Sequence, residues 1–339
     1  MRIWVHEPDS KAENMGVVSF GRRVRTFLNL RVLSYTPYQL RGMGVRFRSG
    51  WSIGTLTGPN QFSLTNAVGG RNPCITARNV PETHAWFVAD PFVVEDSDTY
   101  HMFFEVQEFG RPGAIAHAVS ADGLNWKPTG VVLREAFHLS YPQVIHDEGR
   151  WWMVPESRRA GTVRLYACVQ FPDCWTHARD LIHESVSDPT LFKYEGRWWM
   201  FATRRDQNDA RSLLLYSAQA LDGPWIEHPK SPIAKDEHST TRCGGRPFIH
   251  EGELYRLAQD GRRTYGERLL AQRITKLTDK IYSEEPAGEV LAPNGERWRS
   301  EGVHHLDAIP TEGGYLAVID GLGRPARWRR RDRLAKWGP

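Results

Sequence analysis

The sequence predicts an all-β protein, a five-bladed β-propeller, from a repeated phrase, its spacing and the hairpin pattern inside it. Each copy begins with an acidic, basic or aromatic residue, continues as an apolar strand, turns, and ends a second strand on a polar residue. When Asp90, Tyr141, Asp188, Arg246 and His305 are taken as equivalent points, the copies lie 51, 47, 58 and 59 residues apart. A period of roughly 40 to 60 residues with β patterning in every copy is typical of propellers.

Each copy has the pattern of a β-hairpin. An apolar run of five or six residues leads into Asp, Glu or Gly residues suited to a tight turn, and an aromatic-rich run follows. The second and third copies share Gly-Arg-Trp-Trp, at 149–152 and again at 196–199. Duplication of one hairpin unit is the simplest explanation.

A third strand is predicted after each of the first four hairpins. The predicted ranges are 115–120, 163–169, 213–218 and 269–274. Three of these strands lead into loops that end on Trp126, Trp175 and Trp225. A large apolar ring at that point is suited to cover the outer edge between two blades.

The fifth hairpin lacks a third strand, because the chain becomes basic soon after Asp320. The segment WSIGTLT at 51–57 has the required pattern and lies upstream of the first blade. We therefore predict that it completes the last blade and closes the ring, which removes exposed sheet edges. The predicted organisation is an N-terminal extension at 1–44, the propeller at 45–323 and a basic tail at 324–339.

Composition excludes several classes of protein. With 40% hydrophobic and 25% charged residues the chain is globular. The four cysteines form no CxxC pair, no signal-peptide pattern opens the chain, and no run of roughly 18 apolar residues occurs. The sequence thus predicts a cytoplasmic protein with reduced thiols and no zinc cluster.

Basic residues concentrate near the two ends of the chain, in GRRVR at 21–25 and RRRDR at 329–333, although the net charge is only +4. Such clusters are most often a solvated surface. The alternative is peripheral contact with the anionic inner face of a membrane or with a phosphorylated ligand. Nucleic acid is not predicted as a partner.

The propeller pattern also predicts a site. The start of the first strand and the end of the second strand of every blade meet at one rim of the central channel. This places five residue pairs around one mouth: Asp90 and Glu105, Tyr141 and Glu156, Asp188 and Arg204, Arg246 and Asp260, and His305 and Asp320. These side chains could instead cap strands and hydrogen-bond neighbouring blades.

Three of these carboxylates, Asp90, Glu156 and Asp188, suggest a catalytic site. Carboxylates that share a cavity raise one another's pKa, and glycosyl chemistry requires one ionised and one protonated carboxyl group. Aromatic residues near the mouth, such as Tyr265, would suit the faces of a sugar. Two adjacent histidines, His304 and His305, point in opposite directions on a strand, so no metal is predicted there, and no cofactor is predicted either.

Several short strings identify a related family. They are FVADPF at 87–92, FHLSYP at 137–142, VPES at 154–157, RLYACVQFPDCW at 164–175, DGPWIEHPKSPI at 222–233 and GVHHLDAI at 302–309. In combination they resemble the N-terminal propeller domain of plant glucosamine inositolphosphorylceramide transferase and its stand-alone bacterial relatives. The likeness covers about residues 50 to 322. In the plant proteins this domain precedes a separate glycosyltransferase domain, for which this chain has no room.

The strand starts ADP and SDP also resemble, more distantly, five-bladed sugar-active propellers of the arabinofuranosidase and xylosidase, invertase and levansucrase, and mannoside phosphorylase groups. That resemblance implies a base or nucleophile at Asp90 and a transition-state or pKa-tuning carboxylate at Asp188. The general acid is assigned to Glu156. This residue departs from the family pattern because it lies at the end of a second strand. Tyr141 also departs from the pattern, because an Asp is expected at the start of the second blade.

These observations favour glycosyl transfer in the synthesis of a surface glycan or glycolipid, with a sugar, a nucleotide sugar or a glycolipid as substrate. His138, Tyr141 and His305 would contact hydroxyl groups, and Arg204 and Arg246 an anionic group, while Glu105, Asp260, His304 and Asp320 would complete the binding surface. One alternative is a glycoside hydrolase or phosphorylase that uses the same site. The other is a non-catalytic module that presents a glycan or sugar phosphate to a separate transferase.

Overall fold

The structure is a computed structural model, and it describes residues 50–205, 211–236 and 239–323. The predicted N-terminal extension, the basic tail and both basic clusters lie outside these described residues. In the described part of the chain no helix is long and apolar enough to cross a membrane.

The described residues form 22 β-strands in five antiparallel sheets. The strands that precede and form the first two blades are β1 (Trp51–Gly58), β2 (Thr65–Asn66), β3 (Ala85–Asp96), β4 (Thr99–Glu108), β5 (Ala114–Ser120), β6 (Lys127–Leu133), β7 (Ser140–Asp147), β8 (Arg150–Glu156), β9 (Val163–Gln170) and β10 (Cys174–Ile182). Blade one is β3 to β6 and blade two is β7 to β10, each with its strands side by side in chain order.

The remaining strands are β11 (Val186–Tyr194), β12 (Arg197–Arg205), β13 (Arg211–Ala218), β14 (Ile226–Glu227), β15 (Ala234–Asp236), β16 (Arg242–Cys243), β17 (Phe248–His250), β18 (Glu253–Asp260), β19 (Arg268–Leu277), β20 (Tyr282–Leu291), β21 (Leu306–Thr311) and β22 (Gly314–Leu322). Blade three is β11 to β15 and blade four is β16 to β20. The five-bladed propeller predicted from the repeat is confirmed.

The ring is closed by β1, as predicted. The fifth sheet has the order β2, β1, β22, β21, so an N-terminal strand lies between the last strand of the chain and the short outer strand β2. The antiparallel register of β1 with β22 runs without interruption from Trp51 opposite Leu322 to Gly58 opposite Tyr315. Ile53 and Leu56 of β1 are fully buried, so the closing strand also fills the core.

The predicted third strands are confirmed as β5, β9, β13 and β19. The loop tryptophans cover the outer edges between blades. Trp126 Nε1 donates to Thr55 Oγ1 of β1 at 3.0 Å, and Trp175 packs edge-to-face on Phe103 of blade one with ring centroids 5.6 Å apart. Trp225 joins the apolar cluster between blades two and three.

The core consists of five apolar clusters, one between each pair of neighbouring blades around the ring. Three aromatic side chains of blade one or three, Phe103, Phe104 and Phe201, are fully buried. Because each cluster needs strands from two blades, loss of any blade would expose the apolar faces of its neighbours.

Deleting residues 1–57 should therefore abolish folding, since it removes the strand that pairs with β22 and the buried Ile53 and Leu56. A chain shortened to begin at Gly50 keeps the whole of β1 and serves as the control. Circular dichroism during heating should show one sharp transition for the control and none for the longer deletion. A soluble longer deletion with a cooperative transition would contradict closure by β1.

Candidate active site

The first strands of blades one to three contain the same β-bulge. In blade one, Ala89 lies opposite Glu105 but Phe92 lies opposite Phe103, so the first strand contains one extra residue; blades two and three repeat this shift. The bulged residue has a positive φ in each case, 52° at Asp90, 48° at Tyr141 and 51° at Asp188. Bulges re-aim side chains, and non-glycine residues with positive φ are uncommon and concentrate at functional sites.

The neighbouring second strands bring further carboxylates to the same level. Glu105 lies opposite Ala89, and Glu156 lies opposite Ser140. The sequence analysis predicted Arg204 at this register position in blade three. The structure places Thr203 there instead. Arg204 is one residue further along β12, where its Nη1 lies 3.8 Å from Glu184 Oε2 and its side chain is 39% exposed.

Burial and mutual repulsion separate the protonation states of these groups. Burial, followed by Asp90 and Glu156, holds the pKa of Glu105 well above its ordinary range. Burial and the neighbouring Asp188 raise the pKa of Glu156 to about 8. Burial also raises the pKa of Asp90 to about 7, with His304 opposing the shift and Asp320 and Asp188 adding to it. Close to neutral pH, Glu156 is thus mostly protonated and Asp90 is near its midpoint, while the raised pKa of Glu105 favours its protonated form.

Arg242 of β16 is the cation of this cluster, and the sequence analysis missed it. Its Nε donates to Asp188 Oδ2, its Nη2 to Asp188 Oδ1 at 3.3 Å and its Nη1 to the Tyr265 hydroxyl at 2.8 Å. Although burial acts in the opposite direction, Arg242 and the hydrogen bond from Glu156 lower the pKa of Asp188. Asp188 is thereby the ionised partner of a protonated Glu156.

The fourth blade explains why Arg242 was missed. Arg246 precedes a proline, as Asp90, Tyr141 and Asp188 do, so it was taken as the equivalent residue. Arg242 instead lies opposite Gln259, the register position that Ala89 and Glu105 share in blade one. Gly244 and Gly245 lie between the two arginines. This glycine pair, which the other blades lack at this point, is the sequence feature that could have indicated a different strand register in blade four.

Arg246 lies deeper in the channel. Its Nη2 is 3.3 Å from Asp307 Oδ2 and 3.4 Å from the Val144 carbonyl oxygen, and its guanidinium is 5.9 Å from the Phe92 ring centroid. Asp307 also accepts the Val93 backbone N–H at 2.9 Å. These contacts connect blades four, five, one and two, so Arg246 has a clear structural role away from the mouth.

Asp260 forms ion pairs with two arginines. Arg262 and Arg268 donate to its carboxylate at 2.8 to 3.0 Å, and the hydrogen bonds from Arg262 are the main reason that its pKa falls to about 2. Arg262 and Arg268 thus hold Asp260 in its ionised form, one residue beyond Gln259, which occupies the position that Glu105 has in blade one.

Asp320, His304 and Asp90 form a row. Asp320 Oδ1 accepts the backbone N–H groups of His304 and His305 at 3.0 and 3.1 Å, and its Oδ2 lies 2.6 Å from His304 Nδ1. On the other side of the imidazole, His304 Nε2 is 3.6 Å from Asp90 Oδ1. Burial disfavours a charged imidazole, but the Asp320 carboxylate outweighs it and raises the pKa of His304.

These three residues place one atom each within 4.8 Å of one another, a spacing that a metal ion could also bridge. Asp320 already accepts three backbone N–H groups, from Asp90, His304 and His305. The imidazole of His304 supplies a positive charge between the two carboxylates. One imidazolium balances one of the two carboxylates, and the raised pKa of Asp90 reduces the charge that remains. We interpret the group as an acid–imidazole–acid row.

His138 borders Glu105. The backbone N–H of Gly113 donates to His138 Nδ1 at 3.1 Å, and His138 Nε2 lies 3.5 Å from Glu105 Oε1. Burial lowers the pKa of His138, so the imidazole is neutral and its proton is on Nε2, facing Glu105. A side chain at Gly113 would lie only 2.6 Å from the His138 ring, so glycine is required for this approach.

Three aromatic rings fill the channel beside the carboxylates. Phe92, Tyr141 and His305 pack edge-to-face, with ring centroids 4.6 to 5.0 Å apart, and all three are fully buried. The Tyr141 hydroxyl hydrogen-bonds Thr190 Oγ1 at 2.9 Å. Burial lowers the pKa of His305 to about 3, so this imidazole is neutral. We call these three residues the aromatic plug.

Fold and site together define a class, a five-bladed propeller with paired carboxylates at one mouth of its channel. The chain belongs to the family described as "Glucosamine inositolphosphorylceramide transferase 1, N-terminal", whose model matches residues 48–322. It is 38% identical over 245 residues to glucosamine inositolphosphorylceramide transferase 1 of Oryza sativa subsp. japonica, covering 69% of this chain and 33% of that protein. The Arabidopsis thaliana protein of the same name is 32% identical over 296 residues, covering 80% of this chain and 39% of that protein. The chain thus spans about a third of the length of these relatives.

Solved structures share the fold at low sequence identity. An exo-1,5-α-L-arabinanase from a bovine ruminal metagenomic library has a TM-score of 0.53 and 15% identity, covering 70% of this chain and 91% of that one. A putative glycoside hydrolase from Parabacteroides distasonis has a TM-score of 0.54 and 11% identity, covering 78% of this chain and 98% of that one. At these identities the likeness shows the five-bladed fold alone.

Replacing Arg242 by Gln should destabilise the protein, because Asp188 would remain fully buried without its cation; breaking a buried pair costs about 3 kcal/mol or more. The pKa of Asp188 is lowered in the folded state, so its contribution is present above the unfolded-state pKa of about 4 and is lost at lower pH. The deficit in urea denaturation should therefore be large at pH 7 and shrink below about pH 4.

Arg179→Gln is the matched control, since Arg179 and its partner Asp222 are 53% and 48% exposed. A smaller change without this pH dependence is expected there. Equal effects of the two substitutions would contradict the assignment of Arg242 as the essential counter-ion of Asp188.

Proposed function

We propose that this protein is a carbohydrate-active enzyme that transfers a glycosyl group at the mouth of its propeller. The observation that carries this proposal is a set of buried carboxyl groups with different neighbours: Arg242 contacts Asp188 and His304 faces Asp90, so the pKa values of the groups differ. Glycosyl chemistry depends on that difference, because one carboxyl group must donate a proton while another acts as base or nucleophile. The names of the related plant proteins, which are transferases, support the same class.

Each carboxyl group has a role that follows from its environment. Glu156, protonated below a pKa of about 8, is the general acid. Asp188, held ionised by Arg242, accepts the hydrogen bond from Glu156 and keeps that proton in place. Asp90, with a pKa of about 7, is the base or nucleophile. A general base is most effective when its pKa is close to the working pH.

The substrate is a sugar or glycan, with a nucleotide sugar or a glycolipid as a candidate donor or acceptor. An amino sugar is a candidate, because its protonated amine could pair with Asp90, whose carboxyl group is near its midpoint close to neutral pH. The names of the plant relatives contain glucosamine, a sugar of this class, and a ceramide-based lipid. The biological role proposed is synthesis of a surface glycan or glycolipid. The predicted location in the cytoplasm, at the inner face of the membrane, is part of this proposal.

Hydrolysis or phosphorolysis would use the same carboxylates, with water or phosphate in place of the acceptor hydroxyl. A binding-only module is the second candidate. It is favoured by the length of the plant relatives, of which this chain spans about a third. A screen of nucleotide sugars, glycosyl phosphates and oligosaccharides by mass spectrometry distinguishes the enzyme from the binding-only module. Bond formation or cleavage supports the enzyme, whereas binding without turnover supports the module.

Asp90→Asn and Glu156→Gln should each abolish turnover and change the free energy of unfolding by no more than about 1 kcal/mol, since neither removes apolar core. Glu312→Gln, at the exposed turn between β21 and β22, is the control and should keep full activity. Turnover and urea denaturation are measured on the same preparations. Activity retained by both site variants would rule out the proposed roles.

The pH profile of kcat/KM should be a narrow bell. Activity should rise as Asp90 loses its proton near pH 7 and fall as Glu156 loses its proton near pH 8. In Glu156→Asp, residual activity should keep the acidic limb and move the alkaline one. A flat profile between pH 5 and 9, measured under kcat/KM conditions, would contradict a mechanism with these two groups.

A further inference from the structure

Asp90 is a buried carboxylate that faces a histidine. Its side chain is 6% exposed, and its Oδ1 lies 3.6 Å from His304 Nε2 and 4.0 Å from His305 Nδ1. The other bulge carboxylate, Asp188, instead has the guanidinium of Arg242 against both oxygens. Among the described residues, His304 is thus the cation in contact with Asp90.

The orientation of His304 is fixed from behind by Asp320. Both oxygens of Asp320 take part: Oδ1 accepts the backbone N–H of His304, and Oδ2 lies 2.6 Å from Nδ1 of the ring. Oδ2 also accepts the backbone N–H of Asp90 at 3.2 Å. One carboxylate therefore holds both the imidazole and the backbone of the residue that the imidazole faces.

Trp51 covers this arrangement. Its ring centroid is 4.2 Å from that of His304 at an interplanar angle of 34°, and Tyr265 packs on the same imidazole at 5.3 Å. His304 itself is only 3% exposed. Exclusion of water from the pair strengthens the attraction between imidazolium and carboxylate.

We propose that His304, oriented by Asp320 and covered by Trp51, is a positioning residue that favours the ionised form of Asp90. Its value for catalysis rests on the proposed function, in which Asp90 is the base or nucleophile. Its effect on the charge of Asp90 is independent of any substrate and can be measured without one.

Asp90 also faces other titratable groups. Within the described ranges they are Glu105 of β4, Tyr141 of β7, Glu156 of β8, Asp188 of β11, Arg242 of β16, Tyr265, His305 and Asp320 of β22. The carboxylates disfavour a charge on Asp90, and the buried His305 is neutral. Arg242 favours that charge, but its guanidinium donates to both carboxylate oxygens of Asp188. His304 is therefore the group whose removal should matter most.

The test is an NMR titration of the full chain labelled with ¹³C at the aspartate carboxyl carbons, with Asp90 assigned from Asp90→Asn. In His304→Gln the midpoint of Asp90 should rise by at least about one pH unit, because an opposite charge at this distance lowers a pKa by roughly one to three units. His305→Gln is the matched control. It removes an equally buried neutral imidazole, and the Asp90 midpoint should stay in place.

His304→Ala with added imidazole provides a second measurement if the glutamine variant does not fold. Imidazole bound in the vacated space should return the Asp90 midpoint toward its original value. An unchanged midpoint in both His304 variants would overturn the proposal. So would one equivalent of divalent metal in the purified protein by mass spectrometry, since the imidazole would then be a metal ligand.

Kinetics separate this proposal from the proposed function. With an active substrate, the acidic limb of kcat/KM in His304→Gln should move up with the NMR midpoint, and activity should recover above the new limb. A purely structural role would reduce activity equally at all pH values, which would count against the proposal. If the NMR midpoint moves but no sugar is ever turned over, the role of His304 stands and the proposed function fails.

Discussion

The antiparallel pairing of β1 with β22 is the interaction on which the rest of the molecule depends. It turns an open row of blades into a ring, so that every apolar cluster is enclosed between two neighbouring blades. It also builds the site, because Trp51 begins β1 while Asp320 lies in β22, opposite Ile53. Closure of the ring and the candidate site therefore share one strand pair, and damage to the closure would reach the carboxylates directly.

The second constraint is electrostatic. A buried carboxylate is costly unless it is paired or protonated. The mouth uses both solutions: Asp188 has Arg242 and Asp320 has His304, whereas Glu105 and Glu156 stay protonated. Asp90 lies between these two situations. An uneven set of neighbours around a regular scaffold thus gives similar side chains different states.

The sequence was sufficient for the fold, and it indicated several of the side chains that the structure brings together in the candidate site. Strand alternation and the period predicted five blades, and the position before proline predicted Asp90, Tyr141 and Asp188, which the bulges bring to one level. Arg242 could not be found in this way, because two glycines change the register of the fourth blade. The protonation states also needed coordinates, since they depend on burial and on contacts between residues far apart in the chain, such as His304 and Asp90.

The aromatic plug bears on how the proposed substrate could reach the carboxylates. Phe92, Tyr141 and His305 are fully buried and pack against one another, which leaves no space for a sugar between their rings. Under the proposed function, a glycan could not pass between these three residues. The fitting substrate would then be one end of a chain or a single sugar unit.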